Sequence, residues 1–221
     1  MVQRSTTCVM TREHVCAAIR AAFPDDAPLD VSDFRFLSIG IGQRKKMAIE
    51  DQAAAWEANR ELHEKLRKGG VSFDLGPEGQ GVYPLVYERF GGMDKGGADL
   101  IADGRIKVKS LVSLKHFTKS GLILSDGTEL PADVVVFATG YTYIRETNAE
   151  LLGEDVISQT EDVYGIDQEG ELRGSYRPCG YPGLWFATGD FSNSRTLSKP
   201  LALQIKAIEL GMMPNDGRRE L

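Results

Sequence analysis

Two apolar stretches end in glycine, at residues 138–140 (Ala-Thr-Gly) and 188–190 (Thr-Gly-Asp), and these are the positions whose residue types could do chemistry. Ligands of open α/β sheets bind at the carboxyl ends of the strands. A glycine there lets the backbone approach a nucleotide closely because no Cβ intervenes, and Asp190 could accept hydrogen bonds from ribose hydroxyls. The alternative is that both glycines make tight turns and Asp190 caps a loop, and the spacing alone favours neither interpretation.

A helix predicted to begin near Pro200 would direct its positive N-terminal end back at the same point, which favours an anionic or electron-rich group. Arg195, in the sequence Ser-Asn-Ser-Arg, adds a cation with little specificity. No catalytic acid–base pair and no nucleophile with a partner can be named from these residues.

Composition and charge narrow the class of protein. The 221 residues suffice for one large or two small domains. A net charge of -6 argues against a nucleic-acid binder. Apolar runs fall short of the roughly 20 residues that cross a bilayer, and the polar N-terminus does not resemble a signal peptide. We therefore predict a cytoplasmic protein that acts on a small molecule and binds neither nucleic acid nor membrane.

The sequence contains three cysteines, Cys8, Cys16 and Cys179, and three scattered histidines. The odd, small number of cysteines argues against a disulfide framework, and the scatter of the histidines argues against a metal site. Cys8 or Cys16 as a nucleophile has no local signature in its support. The sequence favours bystander thiols in a reducing compartment.

The predicted elements fall into a helical part and a β part. Helices are predicted over 11–23 and 46–68, the second stopped by Gly69-Gly70. The glycine-rich stretch 71–100 and the near-fingerprint Gly-Ile-Gly-Gln-Arg-Lys at 40–45 are interpreted as loops rather than phosphate cradles.

From residue 105 onward the pattern is that of β structure. Alternating runs and Asp126-Gly127 predict a hairpin, while the unbroken apolar runs at 133–138 and 183–190 predict strands buried on both faces of a parallel sheet. A short helix is predicted near 149–153. The fold class is therefore predicted to be α/β.

Two long segments carry a family resemblance: "DGRIKVKSLVSLKHFTKSGLILSDGTELPADVVVFATGY" and "PGLWFATGDFSNSRTLSKPLALQIKAIE". They resemble the C-terminal part of flavin-containing monooxygenases, most closely fungal flavoproteins similar to the YUCCA-type indole-pyruvate monooxygenases. "MVQRSTTCVM" resembles the strand that follows the NADPH-binding glycine loop of that family. The resemblance implies that FAD and NADPH are cofactors and that one oxygen atom is inserted into a small organic molecule.

The resemblance also implies particular sites and domains. Arg4 and Ser5 would hold the NADPH 2′-phosphate, and residues 138–140 together with Gly189 and Asp190 would face FAD. The chain would comprise a remnant of two nested Rossmann-like domains with a β-meander and a helical insertion. Residues 1–137 would be the NADPH-domain remnant (insertion about 11–100), residues 138–213 the C-terminal part of the FAD domain, and residues 214–221 a tail.

The two glycine fingerprints of the family are missing from this sequence. The pyrophosphate of FAD is normally bound by the first of those loops, so we expect weak cofactor binding and unpaired strands. This predicts a truncated relative that is inactive alone, or a chain that self-associates or pairs with a partner to complete its sheets. The alternative is a non-redox protein, either an isomerase or cyclase or an assembly factor for small-molecule biosynthesis.

Overall fold

A computed structural model describes residues 1–4, 8–73, 92–189 and 191–217. In the described residues the chain is mixed α/β, with small sheets. The helices are α1 (Arg12–Ala22), α2 (Leu29–Ser38), α3 (Ile41–Glu50), α4 (Gln52–Ala58), α5 (Arg60–Lys68), α6 (Gly97–Ala102), α7 (Ile144–Leu152), α8 (Glu154–Ile157) and α9 (Phe191–Glu209). The strands are β1 (Val2–Gln3), β2 (Val9–Thr11), β3 (Gly92–Asp94), β4 (Lys109–Ser110), β5 (Leu114–Phe117), β6 (Gly121–Leu124) and β7 (Glu129–Pro131).

The chain divides into two compact units. Unit 1 comprises residues 1–21 and 45–139, and unit 2 comprises residues 22–44 and 140–221. The assignment of these parts to an NADPH and an FAD domain stays a prediction.

Unit 1 contains the described sheets, and they are small. Strand β1 pairs in parallel with β4, β2 pairs in parallel with β3, and β5, β6 and β7 form an antiparallel meander. The predicted hairpin turn at Asp126-Gly127 is confirmed, because it joins β6 to β7. The Asp126 carboxylate accepts the Thr128 N–H at 2.9 Å and pairs with Lys109 Nζ at 2.9 Å. The Lys109 ammonium first, and the Thr128 N–H second, lower the pKa of Asp126 to about 2.

The core of unit 1 lies between α5, α6 and the β2–β3 pair. It is built on buried apolar side chains from α5, from α6 and from the residues that follow α5: Leu62, Leu66, Val71, Ala98 and Ile101. Gly69 ends α5 where Ile101 approaches so closely that a Cβ would overlap its side chain. Glycine is therefore required at this contact for steric reasons.

Two polar side chains bind the backbone of β2: Asn59, which directly precedes α5, and His63 of α5. The amide oxygen of Asn59 accepts the Thr11 N–H at 2.7 Å, and Nε2 of His63 donates to the Val9 carbonyl at 2.9 Å. The Asn59 amide nitrogen also donates to the Ala55 carbonyl at 2.7 Å. Both side chains are buried. Buried polar groups are tolerated only when they are hydrogen-bonded, and this arrangement meets that condition.

The predicted helix over 46–68 is present but interrupted. Three shorter helices, α3, α4 and α5, cover this region, with breaks at Asp51 and Asn59. The side chain of Asn59 is used for β2, and its backbone leaves α geometry (φ -111°, ψ 8°). The tertiary contact therefore overrides the local helical preference.

The core of unit 2 is formed by Ile157, Cys179 and Phe186. Arg145 of α7 connects this core to the following loop: its guanidinium donates to the Thr160 hydroxyl, to Asp162 and to the Ile157 carbonyl. The predicted short helix near 149–153 is found as α7 followed by α8. The last helix differs from the prediction, because α9 begins at Phe191 and contains Pro200 in its interior.

Asn59 gives the first testable prediction. Replacing Asn59 with Ala leaves the half-buried Thr11 N–H without its acceptor, so we expect the free energy of unfolding to fall by about 1–3 kcal/mol. Urea unfolding followed by circular dichroism measures the change. Glu64→Ala, an exposed position on the same helix, should change it by less than about 0.5 kcal/mol. Equal effects of the two variants would contradict the role assigned to Asn59.

The buried His63 is expected to make the stability of the fold depend on pH. Burial lowers the pKa of His63 below its ordinary 6.5, with Arg67 acting in the same direction against the hydrogen bond to Val9. Below pH 6.5 the unfolded chain binds a proton that the folded chain does not. Stability therefore falls as the pH falls and levels off below the folded pKa.

The measurement is urea unfolding at pH 7.5 and 5.5, read from Trp56, whose ring centroid lies 5.6 Å from that of His63. Trp185 is replaced by Phe in all samples so that only Trp56 reports. His63→Gln, which keeps an N–H donor but does not titrate, should show a smaller loss of stability between the two pH values. The same loss in both proteins would exclude His63 as its source.

Candidate functional site

The structure does not form the strand predicted at 133–138. The chain runs through residues 134–140 without a helix, a turn or a bend and joins no sheet. Val134 and Val136 are 79% and 83% exposed, and Phe137 is 62% exposed. Apolar composition predicted this strand, but strand formation requires neighbours that supply backbone partners, and the described residues offer none here.

The second predicted strand, 183–190, is reduced to one bridge. Phe186 pairs in parallel with Ser175, and Phe186 is buried while Ala187 and Gly189 are exposed. The expectation of strands buried on both faces is therefore wrong for both segments. The buried ring of Phe186, the hydrogen bond from the Tyr176 N–H to the Phe186 carbonyl at 2.8 Å and the hydrogen bonds of Thr188 to Ser175 hold this segment in place.

The predicted cofactor residues occupy open positions. Ala138, Thr139 and Gly140 are exposed, and a Cβ at Gly140 would meet nothing within 4 Å. Arg4 is exposed as well. Ser5 and Asp190 lie outside the described residues.

Gly189, two residues before the first residue of α9, has φ +103°, in the region that favours glycine. A Cβ there would collide with the side chain of Asn193 in the first turn of the helix. Gly189 therefore allows a close approach within the protein itself, as the tight-turn alternative expects.

A hydroxyl cluster, formed by Ser175, Tyr176, Thr188 and Ser194, surrounds the start of α9. Oγ of Ser175 accepts the Thr188 N–H at 3.1 Å and lies 2.6 Å from the Thr188 hydroxyl, and the hydroxyls of Tyr176 and Ser194 are 2.9 Å apart. Tyr176 has φ +57°, which is uncommon for a residue with a side chain. These hydroxyls bond to one another, so the cluster fastens the helix start to residues 175–176.

The cation expected at Arg195 is paired with an acid. Its Nε and Nη2 donate to the two carboxylate oxygens of Asp33 at 2.7 and 2.5 Å. The Arg195 hydrogen bonds lower the pKa of Asp33 below its usual value, against the opposing effect of burial. This bidentate pair joins α2 to α9 and was not predicted from the sequence, since 162 residues separate its members.

The two glycine-rich segments are occupied by protein groups. Gly42, in the sequence 40–45, lies in α3 rather than in a loop, and its N–H donates to the Gly170 carbonyl at 2.7 Å. In the second segment, Asp94 accepts the N–H groups of Gly96 and Ala98 at 3.1 and 3.0 Å. A carboxylate therefore stands where a phosphate cradle would need an empty space. The "GPEGQG" part of the glycine-rich stretch lies outside the described residues.

The cysteines differ in exposure. Cys179 is fully buried, and its thiol lies 3.1 Å from the Leu184 carbonyl. Burial raises the pKa of the Cys179 thiol, which disfavours the reactive thiolate. Cys8 is buried and Cys16 partly exposed. Within the described ranges, no group of three or more His, Cys, Asp or Glu side chains could hold a metal ion.

A small cavity in unit 2 is lined by Tyr181, Trp185, Ile208, Met213 and others, and it has room for about one water molecule. The indole Nε1 of Trp185 is buried and has no hydrogen-bond partner among the described residues. Ligand pockets for drug-sized molecules are typically about 300–1,000 Å³. This cavity cannot hold a flavin or a nicotinamide.

Comparison with protein-family models finds no matching family, and comparison with curated proteins finds no matching sequence. The resemblance to flavin monooxygenases therefore stays a prediction. In the part of the chain that the structure describes, no helix is long and apolar enough to cross a membrane.

The described residues do not fit FAD. A bound flavin needs protein groups around its ring and its phosphates. The space next to Gly140 is open, and the space next to Gly189 is occupied by the side chain of Asn193. The segment 133–140 is the feature of this region that remains unexplained.

The role of Gly189 can be tested against that of Gly140. Both have positive φ, but only Gly189 has a side chain in the space of a Cβ. We expect Gly140→Ala to cost about 1–2 kcal/mol of stability through backbone strain alone, and Gly189→Ala to cost more.

Thermal unfolding of both variants measures this difference. In a Gly189→Ala/Asn193→Ala double variant, part of the added loss should return, because the colliding side chain is gone. Equal losses for the two single variants, with no recovery in the double variant, would contradict the contact with Asn193.

Proposed function

We propose that this protein is a relative of FAD- and NADPH-dependent monooxygenases that has no oxygenase activity as an isolated chain and acts as a binding or assembly component. The family part of the proposal is supported by the two segments quoted above. The loss of activity is supported by the missing glycine fingerprints and by the open surroundings of Gly140.

One observation carries the assembly role. Residues 133–140 have the composition of a strand buried on both faces, yet they are exposed, and none of their backbone groups hydrogen-bonds to any of the described residues. Unpaired backbone and exposed valines together form a surface that a second β-strand would cover. Assembly is therefore favoured over an isomerase or cyclase, for which no comparable observation exists.

The chemistry of flavin monooxygenases indicates which property this chain would have lost. In flavin monooxygenases the bound flavin supplies oxygen transfer, and the protein supplies orientation and exclusion of water. Here the residues at the predicted flavin-facing positions 138–140 are in contact with solvent. An open position of this kind does not exclude water, which is the contribution that the protein would have to make there.

A flavin titration tests the proposal. FAD at up to about 100 μM is added to the purified chain and followed by flavin fluorescence and by equilibrium dialysis, and NADPH oxidation is recorded in parallel. We expect no saturable 1:1 binding and no NADPH oxidation above the rate of free FAD. An unrelated apo-flavoprotein that reconstitutes in the same assay serves as the control for cofactor quality.

FAD binding in this titration would contradict the proposal, and it would also allow the binding position to be located. Stoichiometric FAD binding with reduction by NADPH would overturn the loss of activity. A matched loss of binding in Gly140→Trp, but not in Gly104→Trp, would then locate the flavin at the predicted strand end. Gly104 is a suitable control because it too has positive φ and open space around a Cβ.

A further inference from the structure

The strongest unexplained feature is the segment 133–137, called here the valine segment. Its sequence is Asp-Val-Val-Val-Phe, and no charged residue follows it until Arg145, although 26% of the chain is charged. Valine and phenylalanine are strand-favouring residues. This stretch has the composition of a strand interior and the exposure of a surface loop.

The valine segment and its neighbour Phe117 expose a large apolar area. Val134, Val136 and Phe137 are exposed by 79%, 83% and 62%, and the neighbouring Phe117 by 54%. Since one aromatic side chain buries about 150–250 Å², these residues expose on the order of 400–500 Å². The largest apolar patch of a typical monomer is about 300–600 Å² and is often functional.

The segment has a fixed anchor. The ring of Phe137 contacts the ring of Phe117, at the end of β5, in an edge-to-face arrangement with centroids 6.1 Å apart. At its other end, the Ala132 N–H donates to the Ser120 carbonyl at 3.0 Å. The valine segment is therefore held at both ends by unit 1, while its own backbone has no partner among the described residues.

We propose that the valine segment is a dimerisation strand, which pairs in antiparallel orientation with the same segment of a second copy of this chain. The proposal rests on the assembly role proposed above and names its partner. A strand supplies both things that the segment lacks, backbone hydrogen-bonding groups and an apolar face. A two-fold axis lets one surface patch serve both chains.

The sequence is self-complementary in this register. With the axis at Val135, Val134 of each copy faces Val136 of the other, which places four valines on one face of the ribbon. Asp133 of each copy faces Phe137 of the other, so no two like charges stand opposite each other. The exposed apolar area is about half of the roughly 800 Å² per partner of a standard interface, a size typical of weak, transient complexes. A reversible dimer with a dissociation constant in the micromolar range follows.

Sedimentation equilibrium of the full chain at about 1–100 μM tests the proposal. We expect a monomer–dimer equilibrium in the wild-type protein. Val136→Lys places two cations next to the valines of the partner and should weaken the dimer by at least about tenfold. Val135→Pro removes a backbone donor and should weaken it as well, which separates strand pairing from simple contact between side chains.

Leu151→Lys is the matched control. Leu151 is 79% exposed, as is Val134, but lies in helix α7. It should leave the dissociation constant unchanged. Circular dichroism confirms that the variants are folded, which is expected because the substituted side chains are solvent-exposed.

Three results would overturn the proposal: a monomer over the whole concentration range, open-ended aggregation in place of a dimer, or a dimer that Val136→Lys does not weaken. These results are distinct from failure of the proposed function. If the protein is a monomer that binds no FAD, the dimerisation proposal is wrong and the proposed loss of activity stands. If the protein is a dimer that binds FAD stoichiometrically, the dimerisation proposal stands and the proposed loss of activity is wrong.

Discussion

The backbone hydrogen bonds of short strands are the constraint on which unit 1 depends. Strand β2 pairs with β3 on one edge, through groups such as the Cys8 carbonyl, which accepts the Gly92 N–H at 2.6 Å. Its other edge presents the Val9 carbonyl and the Thr11 N–H, which point the same way because they are two residues apart. No strand covers that edge in the described residues. Asn59 and His63 supply the missing partner groups.

The spacing explains why a helix can do this. Two residues of a strand advance about 6.6 Å, and four residues of a helix advance about 6 Å. Asn59 and His63, four residues apart, therefore match Val9 and Thr11 in both distance and hydrogen-bonding type. The same helix face buries Leu62 and Leu66. One helix thus supplies hydrogen-bonding groups to the sheet edge and buried side chains to the core, so the helix position, the strand position and the lowered pKa of His63 are linked.

The sequence predicts features that residues close together in the chain determine, and it misses features that depend on contacts between distant residues. Helix α1 and the β6–β7 hairpin were predicted, because local propensity and the Asp-Gly turn decide them. The break at Asn59 was not, since it results from a hydrogen bond to a strand 48 residues earlier. Helix α9 starts nine residues before the predicted Pro200, because the contacts of Ser194 with Tyr176 and of Arg195 with Asp33 outweigh the preference of proline for a helix start. At the candidate site, apolar composition predicted buried strands at 133–138 and 183–190, and this was wrong because composition cannot say whether a strand has neighbours.

The valine segment and β2 pose the same physical problem with opposite outcomes. For β2, side chains of a nearby helix replace a missing strand. For the valine segment, no helix of the described residues supplies such groups, and valine and phenylalanine cannot do so themselves. Water can satisfy the backbone but leaves the apolar side chains exposed. A helix face could cover the side chains but not the backbone. A β-strand satisfies both requirements at once, which makes strand pairing the arrangement that removes the conflict between this sequence and its exposure.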